Sequence, residues 1–480
     1  MADAGIPWAL SSYRSASLPI SAQQIVNFST EVQREGMDAK TPAALIGSPG
    51  LVEFATVGAG PIRAILEMNG VLYSVSGTQL YSIDSAGTET LLGGGIAPGS
   101  NVISIAGSGT QVLVTDGTSG FAHTVSPSAY AQISDVDFPN AQNTVIYLNG
   151  YFLFDWKNTN KFFSSDADQG LNYDALFFSS AETSDDFVQA VLKHQQQLLV
   201  GGKKSFEVWQ FNPNTSGFPW VRFPGVNIDI GIAGPLAGTR HKSKIFFVGS
   251  DKLFYRMEGG QPQMILDPGV ASVWRDYSTV SDAVVWGMTW GVQEWIFITF
   301  PTVNKTWVYD DYTTFFHERV SHDSDMVSLG RWRGNVYANC YNKHLIGDAY
   351  TNQIGYLDAG TYTEYGNNIQ SRAVAPAMHA KGATVHMSSL ELLMETGVGL
   401  TTGQGSDPQI VLDWSNDNGK TFEPFEMSRS FGKIGEFQKI VRFTELGSFK
   451  QRNYRVTITD PVKRVLVSAI PKAKQGLQYS

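Results

Sequence analysis

Side chains capable of chemistry gather in a few short runs. His317-Glu318-Arg319-Val320-Ser321-His322 approaches the zinc-binding HExxH pattern, which needs two imidazoles one helical turn apart and a glutamate base between them. Here the second histidine falls at offset five, so on a helix the rings would diverge. The flanking residues read as strand and turn, and a solvated loop is expected rather than a zinc site. His379 and His386 have no acidic or thiol residue nearby in sequence, and zinc sites need such partners. Asp323 and Asp325 could begin a calcium loop, but the glycine and bidentate glutamate of such a loop do not follow. The one cysteine, Cys340, lies in the strand-like run 336–341 and is expected to be a buried, inert thiol. It excludes an intramolecular disulfide framework and a CxxC site. There is no Walker A run, no G-x-G-x-x-G after a strand and no G-x-S-x-G elbow. These residues point to no catalytic constellation, no metal and no cofactor.

One motif fits its pattern fully. Ser415-Asn416-Asp417-Asn418-Gly419-Lys420-Thr421-Phe422 matches S-x-D-x-G-x-T-[W/F], the Asp-box. In such a turn the carboxylate of Asp417 accepts backbone amides, Gly419 takes a positive φ, and Phe422 packs beneath the hairpin, with Ser415 and Thr421 completing the box. Asp-boxes occur in sialidases and in many other β proteins, away from the chemistry, so this one is read as structural. A glycosidase would also need a close carboxylate pair, or a tyrosine nucleophile with arginines around the sugar carboxylate.

Charge is distributed unevenly. The net charge is −9, yet residues 429–480 carry eleven Lys/Arg against three acids, a balance of +8, leaving −17 for residues 1–428. Runs 437–443 and 453–458 read as paired strands with one charged, wetted face. Lys439, Arg442, Arg452 and Arg455 are the candidate docking residues of that face. Such a face suits phosphate backbone or an acidic protein surface. The acidic remainder favours intersubunit or interdomain pairing. Replacing Arg442, Arg452 and Arg455 by serine is expected to impair assembly and leave the monomer folded.

The elements that must position these residues are β-strands. The 480 residues are 16% charged, against roughly 25% in ordinary globular chains. Glycine numbers 48, with 28 Phe, 19 Tyr and 11 Trp. This composition argues against disorder and coiled coil and for a large core with many turns. Residues 1–5 lack the basic start and apolar run of a signal peptide. The most apolar stretch, 283–300, is interrupted by Gln293 and Glu294 and falls short of a membrane span. A soluble chain, not exported by an ordinary signal, is expected.

A turn of Gly, Asn or Gln followed by an apolar strand recurs, with strands starting at 71, 112, 151, 198, 245, 295 and 336, spaced 39 to 50 residues apart. Most copies have a second β-branched and aromatic strand close behind, as in Phe206-Glu207-Val208-Trp209 and Trp307-Val308-Tyr309. One hairpin unit per 40–50 residues is the period of a four-stranded propeller blade. The expected fold is all-β: an N-terminal extended arm (1–44), a degenerate β-propeller of about seven blades (45–370) and a C-terminal Asp-box β domain (371–480). Ala22 to Val32 is the best helix candidate in a chain otherwise without convincing helices.

The C-terminal residues also carry a resemblance. Leu412-Asp413-Trp414, the Asp-box, Gly432-Lys433-Ile434-Gly435-Glu436-Phe437, Val441-Arg442-Phe443-Thr444-Glu445-Leu446-Gly447, Arg452-Asn453-Tyr454-Arg455-Val456 and Asp460-Pro461-Val462 together resemble the C-terminal module of the packaged-DNA stabilisation proteins, or tail hub (nozzle) proteins, of short-tailed double-stranded DNA phages. Leu198-Leu199-Val200-Gly201-Gly202 with Phe206-Glu207-Val208-Trp209, Gly231-Ile232-Ala233-Gly234, and the entry element Ala22 to Asn27 followed by Pro49-Gly50 are similar as well. The resemblance implies a non-enzymatic virion tail part, assembled in the bacterial cytoplasm. It implies six copies in a homohexameric ring below the portal and adaptor. Such a ring extends the DNA conduit, helps retain packaged genome until ejection, and carries the needle, plug or fibres. Genomic DNA would pass through the lumen without sequence-specific binding, and an acidic lumen would let it slide. The other readings are a sialidase-like propeller glycosidase, marked by a buried arginine cluster with paired carboxylates, and a non-hydrolytic host-glycan-binding tail component.

Overall fold

The hairpin turns set the geometry of the repeats. Asn69 and Gly70 have φ of 54° and 76°, and Asn149 and Gly150 have 51° and 89°. Each pair is the two-residue loop between Cα partners, Met68 with Val71 and Leu148 with Tyr151. Two successive positive φ values define the type I′ turn, whose twist matches that of the strands it joins. The computed structural model describes residues 8–33, 42–99, 102–215, 217–226, 228–322, 328–380, 382–423 and 426–475. Asp323, Asp325 and residues 1–5 lie outside these.

Seven antiparallel four-stranded units follow in chain order. Blades 1 to 5 occupy 62–94, 104–132, 145–180, 188–222 and 238–264. Blade 6 is built from Val284–Trp290, Gln293–Phe300, Lys305–Asp310 and Phe315–His322. Its first hairpin is the apolar stretch that was too short for a span. Blade 7 takes Gly334–Cys340, Lys343–Asp348 and Gln353–Asp358, and its outer strand is Gly50–Thr56, from the beginning of the chain. The first strand of each blade contacts the first strand of the next, and that of blade 7 contacts that of blade 1. The ring is therefore closed, and the seven blades form a β-propeller. Apolar clusters fill the spaces between blades, for example Met68, Val75, Val112 and Phe121 between blades 1 and 2, and Leu51, Trp286, Trp332 and Ile346 between blades 6 and 7.

Buried or half-buried carboxylates at strand ends hold several blades, a device the periodicity did not show. The carboxylate of Asp116 accepts the amides of Ala97, Thr118 and Ser119. That of Asp155 accepts the amides of Asn143 and Thr144 and both their side chains. Asp310 accepts Glu294 and Tyr312 amides, and Asp348 those of Tyr350 and Thr351. Each carboxylate satisfies turn amides that would otherwise be buried unpaired.

Two expectations about helices are corrected. Ala22 to Val32 is not a helix but two strands, Ala22–Val26 and Phe28–Val32, divided by Asn27 at φ 53°, a conformation no helix interior accepts. A helix does occur at Pro268–Arg275 between blades 5 and 6, with proline in its first turn and Val270 and Trp274 buried. Its eight residues are too few to show helical periodicity beside so much strand.

The C-terminal part is a two-sheet sandwich, and the N-terminal strands belong to both sheets. Ala22–Val26 lies between Phe315–His322 of blade 6, paired parallel, and Ser371–Val374, paired antiparallel. That sheet continues through Gln451–Ile458 and Gln409–Ser415 to Met427–Ser430. The other sheet runs Phe28–Val32, Ala43–Gly47, Val465–Gln475, Val385–Met394, Val441–Thr444. The stretch expected as an arm thus supplies strands that join blade 6 to the sandwich. Ile25, Phe28 and Leu45 share a core with Leu390, Leu412, Tyr454 and Val456.

Candidate functional site

The junction of blade 6, the N-terminal strands and the sandwich concentrates the buried polar chemistry. Asn27 is its hub. Its side chain donates to Val320 O at 3.0 Å and Gln370 O at 2.8 Å and accepts Val320 N at 3.1 Å. Its carbonyl accepts Ser48 N and the Ser371 hydroxyl. One residue, through its side chain and its carbonyl, thereby ties the entry segment, the propeller and the start of the first sandwich strand.

The His317–His322 run forms the outer strand of blade 6, not a solvated loop. The strand would be an edge in an ordinary propeller; here Ala22–Val26 covers it, so His317, Glu318 and Arg319 are buried. Strand alternation sends successive side chains to opposite faces. On one face Gln24 donates to Glu318 Oε1 at 2.8 Å. On the other, the Arg319 guanidinium lies 5.0 Å from the Trp295 ring and 5.8 Å from that of Trp332. Trp332 Nε1 donates to Glu364 at 2.7 Å, and the charges of Glu364 and Arg464 act on Arg319, the first raising and the second lowering its proton affinity. Arg464, fully buried, donates to Ile369 O at 3.0 Å and Ser48 O at 3.2 Å. Burial pushes Arg319 down to about 9 and Arg464 down to about 10, raises Glu364 and Glu318, and lowers His317 far below the usual imidazole range. Arginines with carboxylates would mark a sialic-acid site if a sugar could reach them. These are sealed between the strands they join, with Arg319 and Glu364 exposed by 2% and 7%, and their partners are the chain's own backbone and tryptophans. The cluster is a joint, and no group of three His, Cys, Asp or Glu side chains among the described residues is placed to hold a metal. Cys340 is buried as well.

The Asp-box caps the end of Gln409–Ser415. Ser415 Oγ donates to Asp417 at 2.6 Å and accepts the Gly419 amide at 2.7 Å. The Asp417 carboxylate accepts the amides of Lys420 and Thr421 and the Thr421 hydroxyl at 2.6 Å. These donors hold it down at about 2. Asn418 and Gly419 take φ of 66° and 79°. Phe422 lies 3.9 Å beneath the guanidinium of Arg455.

The four candidate docking cations do not form one wetted face. Their two strands are not paired with each other: Val441–Thr444 pairs with 385–394 in one sheet and Gln451–Ile458 with 409–415 in the other. Arg452 is in the core, 4% exposed, donating to Asn416 at 2.9 Å and lying 4.3 Å from the Phe449 ring and 4.7 Å from that of Trp414. Arg455 makes a two-pronged ion pair with buried Asp413. Arg442 is half-exposed, paired with its cross-strand partner Glu391 at 2.6 Å, and Lys439 is 3.6 Å from Glu436. The triple serine replacement would therefore attack the sandwich itself. Charge counted along a strand does not say which cations already have partners across it.

A closed seven-bladed ring, a two-sheet sandwich and a sealed polar joint between them define an all-β propeller–sandwich protein. Residues 21–362 match the family described as Bacteriophage P22 Gp10, beta-propeller, and residues 370–470 match Bacteriophage P22 Gp10, beta-sandwich. The chain belongs to this family of phage stabilisation proteins. No individual curated protein matches. Among solved structures it is similar to the extracellular domain of a one-component system of B. thetaiotaomicron, at 12% identity and TM-score 0.44, covering 82% of this chain and 47% of that one. It is also similar to the N-terminal domain of Nup159, at 11% identity and TM-score 0.38, covering 73% and 97%. The chain spans about half the length of the bacterial structure, 47%.

Proposed function

We propose that the protein is a tail hub or nozzle: a ring of six copies that extends the DNA conduit below the portal and adaptor and helps retain the packaged genome until ejection. The observation that carries the reading is the family match over both parts, 21–362 and 370–470. Its role is structural, without catalysis. The sealed arginine–carboxylate joint supports this, because its buried charged groups hold strands together and their partners are the chain's own backbone and tryptophans. Adaptor and portal-side proteins are its partners on one side, and needle, plug or fibre proteins on the other. DNA passes through an acidic lumen without sequence-specific contacts, since few cations there means few released counterions and little friction from binding. Lys439 and Arg442 remain the docking candidates, and the Asp-box a structural turn. The working division is 1–44, 45–370 and 371–480 along the chain, with the strand Ala43–Gly47 crossing its first boundary to join the sandwich. The test is a phage lacking this chain: heads should fill and then lose their DNA, whereas particles that keep DNA and have a complete tail would refute the proposal.

A further inference from the structure

Two exposed apolar patches on distant parts of the chain carry opposite charge. The first is on blade 3. Its outer strand, Gln169–Ser180, pairs Phe163 with Phe178 and Ser165 with Tyr173, so residues 174–177 bulge out opposite Ser164. The Asp174 carboxylate accepts the Leu176 amide at 2.9 Å and turns the bulge, leaving Leu176 75% exposed. Beside it, a cavity of about 270 Å³ is lined by Val136, Asp137, Trp156, Asp174 and Phe177. Val136, 94% exposed, stands between Asp135 and Asp137. The patch is apolar and concave, and the three carboxylates of Asp135, Asp137 and Asp174 outnumber the cation beside it, Lys161, which lies 4.4 Å from the Phe178 ring.

The second patch is the sandwich loop 433–440, every residue of which is exposed. It presents Ile434, Phe437 and Ile440 at 62%, 74% and 62% exposure. The loop is held rigidly from behind: Thr396 donates to Phe437 O at 2.9 Å, and Gly435 N to Gly397 O at 3.1 Å. Gly397 has to be glycine here, because its φ is 77° and a Cβ would meet the Phe437 backbone at 2.9 Å. Ile434 follows Lys433 and Ile440 follows Lys439, with Glu436 between them 3.6 Å from Lys439, so the loop carries a net +1. Among the described residues no other large exposed apolar side chain is adjacent to a lysine or arginine.

We infer that the loop 433–440 of one copy docks its apolar side chains into the acidic blade 3 patch of a second copy. Apolar centres with complementary charged rims are the anatomy of a specific interface. Because each copy carries both patches at different places, the contact is head-to-tail, and repeated it closes a ring or runs on as a fibre. The inference rests on the reading of the chain as a self-associating virion part.

Disulfide trapping with purified full-length chain tests it. In a Cys340→Ser background, chains carrying Val136→Cys are mixed with chains carrying Phe437→Cys and oxidised. The mixture should give a covalent dimer that neither chain gives alone, nor Phe437→Cys mixed with Ile20→Cys. Adding Asp137→Lys to the first chain should lower the yield about tenfold, and Lys433→Asp with Lys439→Asp on the second should restore it. No dimer above the Ile20 control, or equal dimer from either chain alone, overturns the inference. Detecting the chain in virions separates the cases. Failed trapping with the chain present sinks this contact alone, and successful trapping with the chain absent from virions sinks the virion reading.

Discussion

Asp417 and Arg452 are both charged residues of the C-terminal stretch, and both are occupied by the fold. Asp417 is held at about 2 by hydroxyl and amide donors. A carboxyl whose folded value is depressed stabilises the fold above its unfolded value near 3.8 and loses that contribution as pH falls through about 2. Asp417→Asn should therefore cost about 1 kcal/mol at neutral pH, with the difference from wild type vanishing near pH 2; hydrogen exchange of the Thr421 amide reads it locally. Arg452→Ser should cost about 2–4 kcal/mol, since it leaves a cavity among Trp414, Phe449 and Tyr454. Lys439→Ser and Arg442→Ser should cost under about 1 kcal/mol. Denaturant unfolding separates the two classes, and equal costs would contradict the placement of Arg452. The Asp-box was legible from sequence because its contacts are local. The burial of Arg452 was not, since Trp414 and Asn416, which cover it from the neighbouring strand and its turn, are remote from it in sequence.

Among the elements, the entry strands matter most, because they complete sheets begun elsewhere. Asn27→Ala strips partners from the backbone of Val320 and Gln370 together, and should cost about 3 kcal/mol or more. Calorimetry should show the propeller and sandwich destabilised together; loss of the sandwich transition alone would contradict the hub role. Deleting residues up to 57 removes the outer strand of blade 7 and should abolish cooperative unfolding of the whole propeller. The hairpins were legible in the sequence because strand and turn signals lie within a few residues of each other, as at 69–73 and 149–154. The pairing of 22–26 with 315–322 joins residues nearly three hundred positions apart, and no local pattern announces it. The run 22–32 stands out in sequence as the best helix candidate, and Asn27 is the clue against it, since asparagine tolerates a positive φ. The strand-end carboxylates at 116, 310 and 348 each accept the amide two residues on, whereas Asp155 accepts those of Asn143 and Thr144, just before the preceding strand, so a local pattern shows only some of them.

For the whole molecule, the split between an acidic body of −17 and a basic end of +8 takes on a different meaning once partners are assigned. Arg452, Arg455 and Arg464 are internal; the basic end presents Lys433, Lys439 and Arg442 beside an apolar loop, and Lys450, Lys463, Lys472 and Lys474 are exposed elsewhere on it. What remains outside at the basic end is seven exposed cations, two of them flanking an apolar loop, which the proposed docking sets against a neighbouring copy. The most direct measurement is cryo-electron microscopy of tails from particles containing this chain, with the map fitted by its propeller and sandwich. A closed ring of six copies around a continuous channel, its wall predominantly acidic, is the predicted result. A tail map in which the chain forms no ring, or in which it stands off the channel axis, would contradict it.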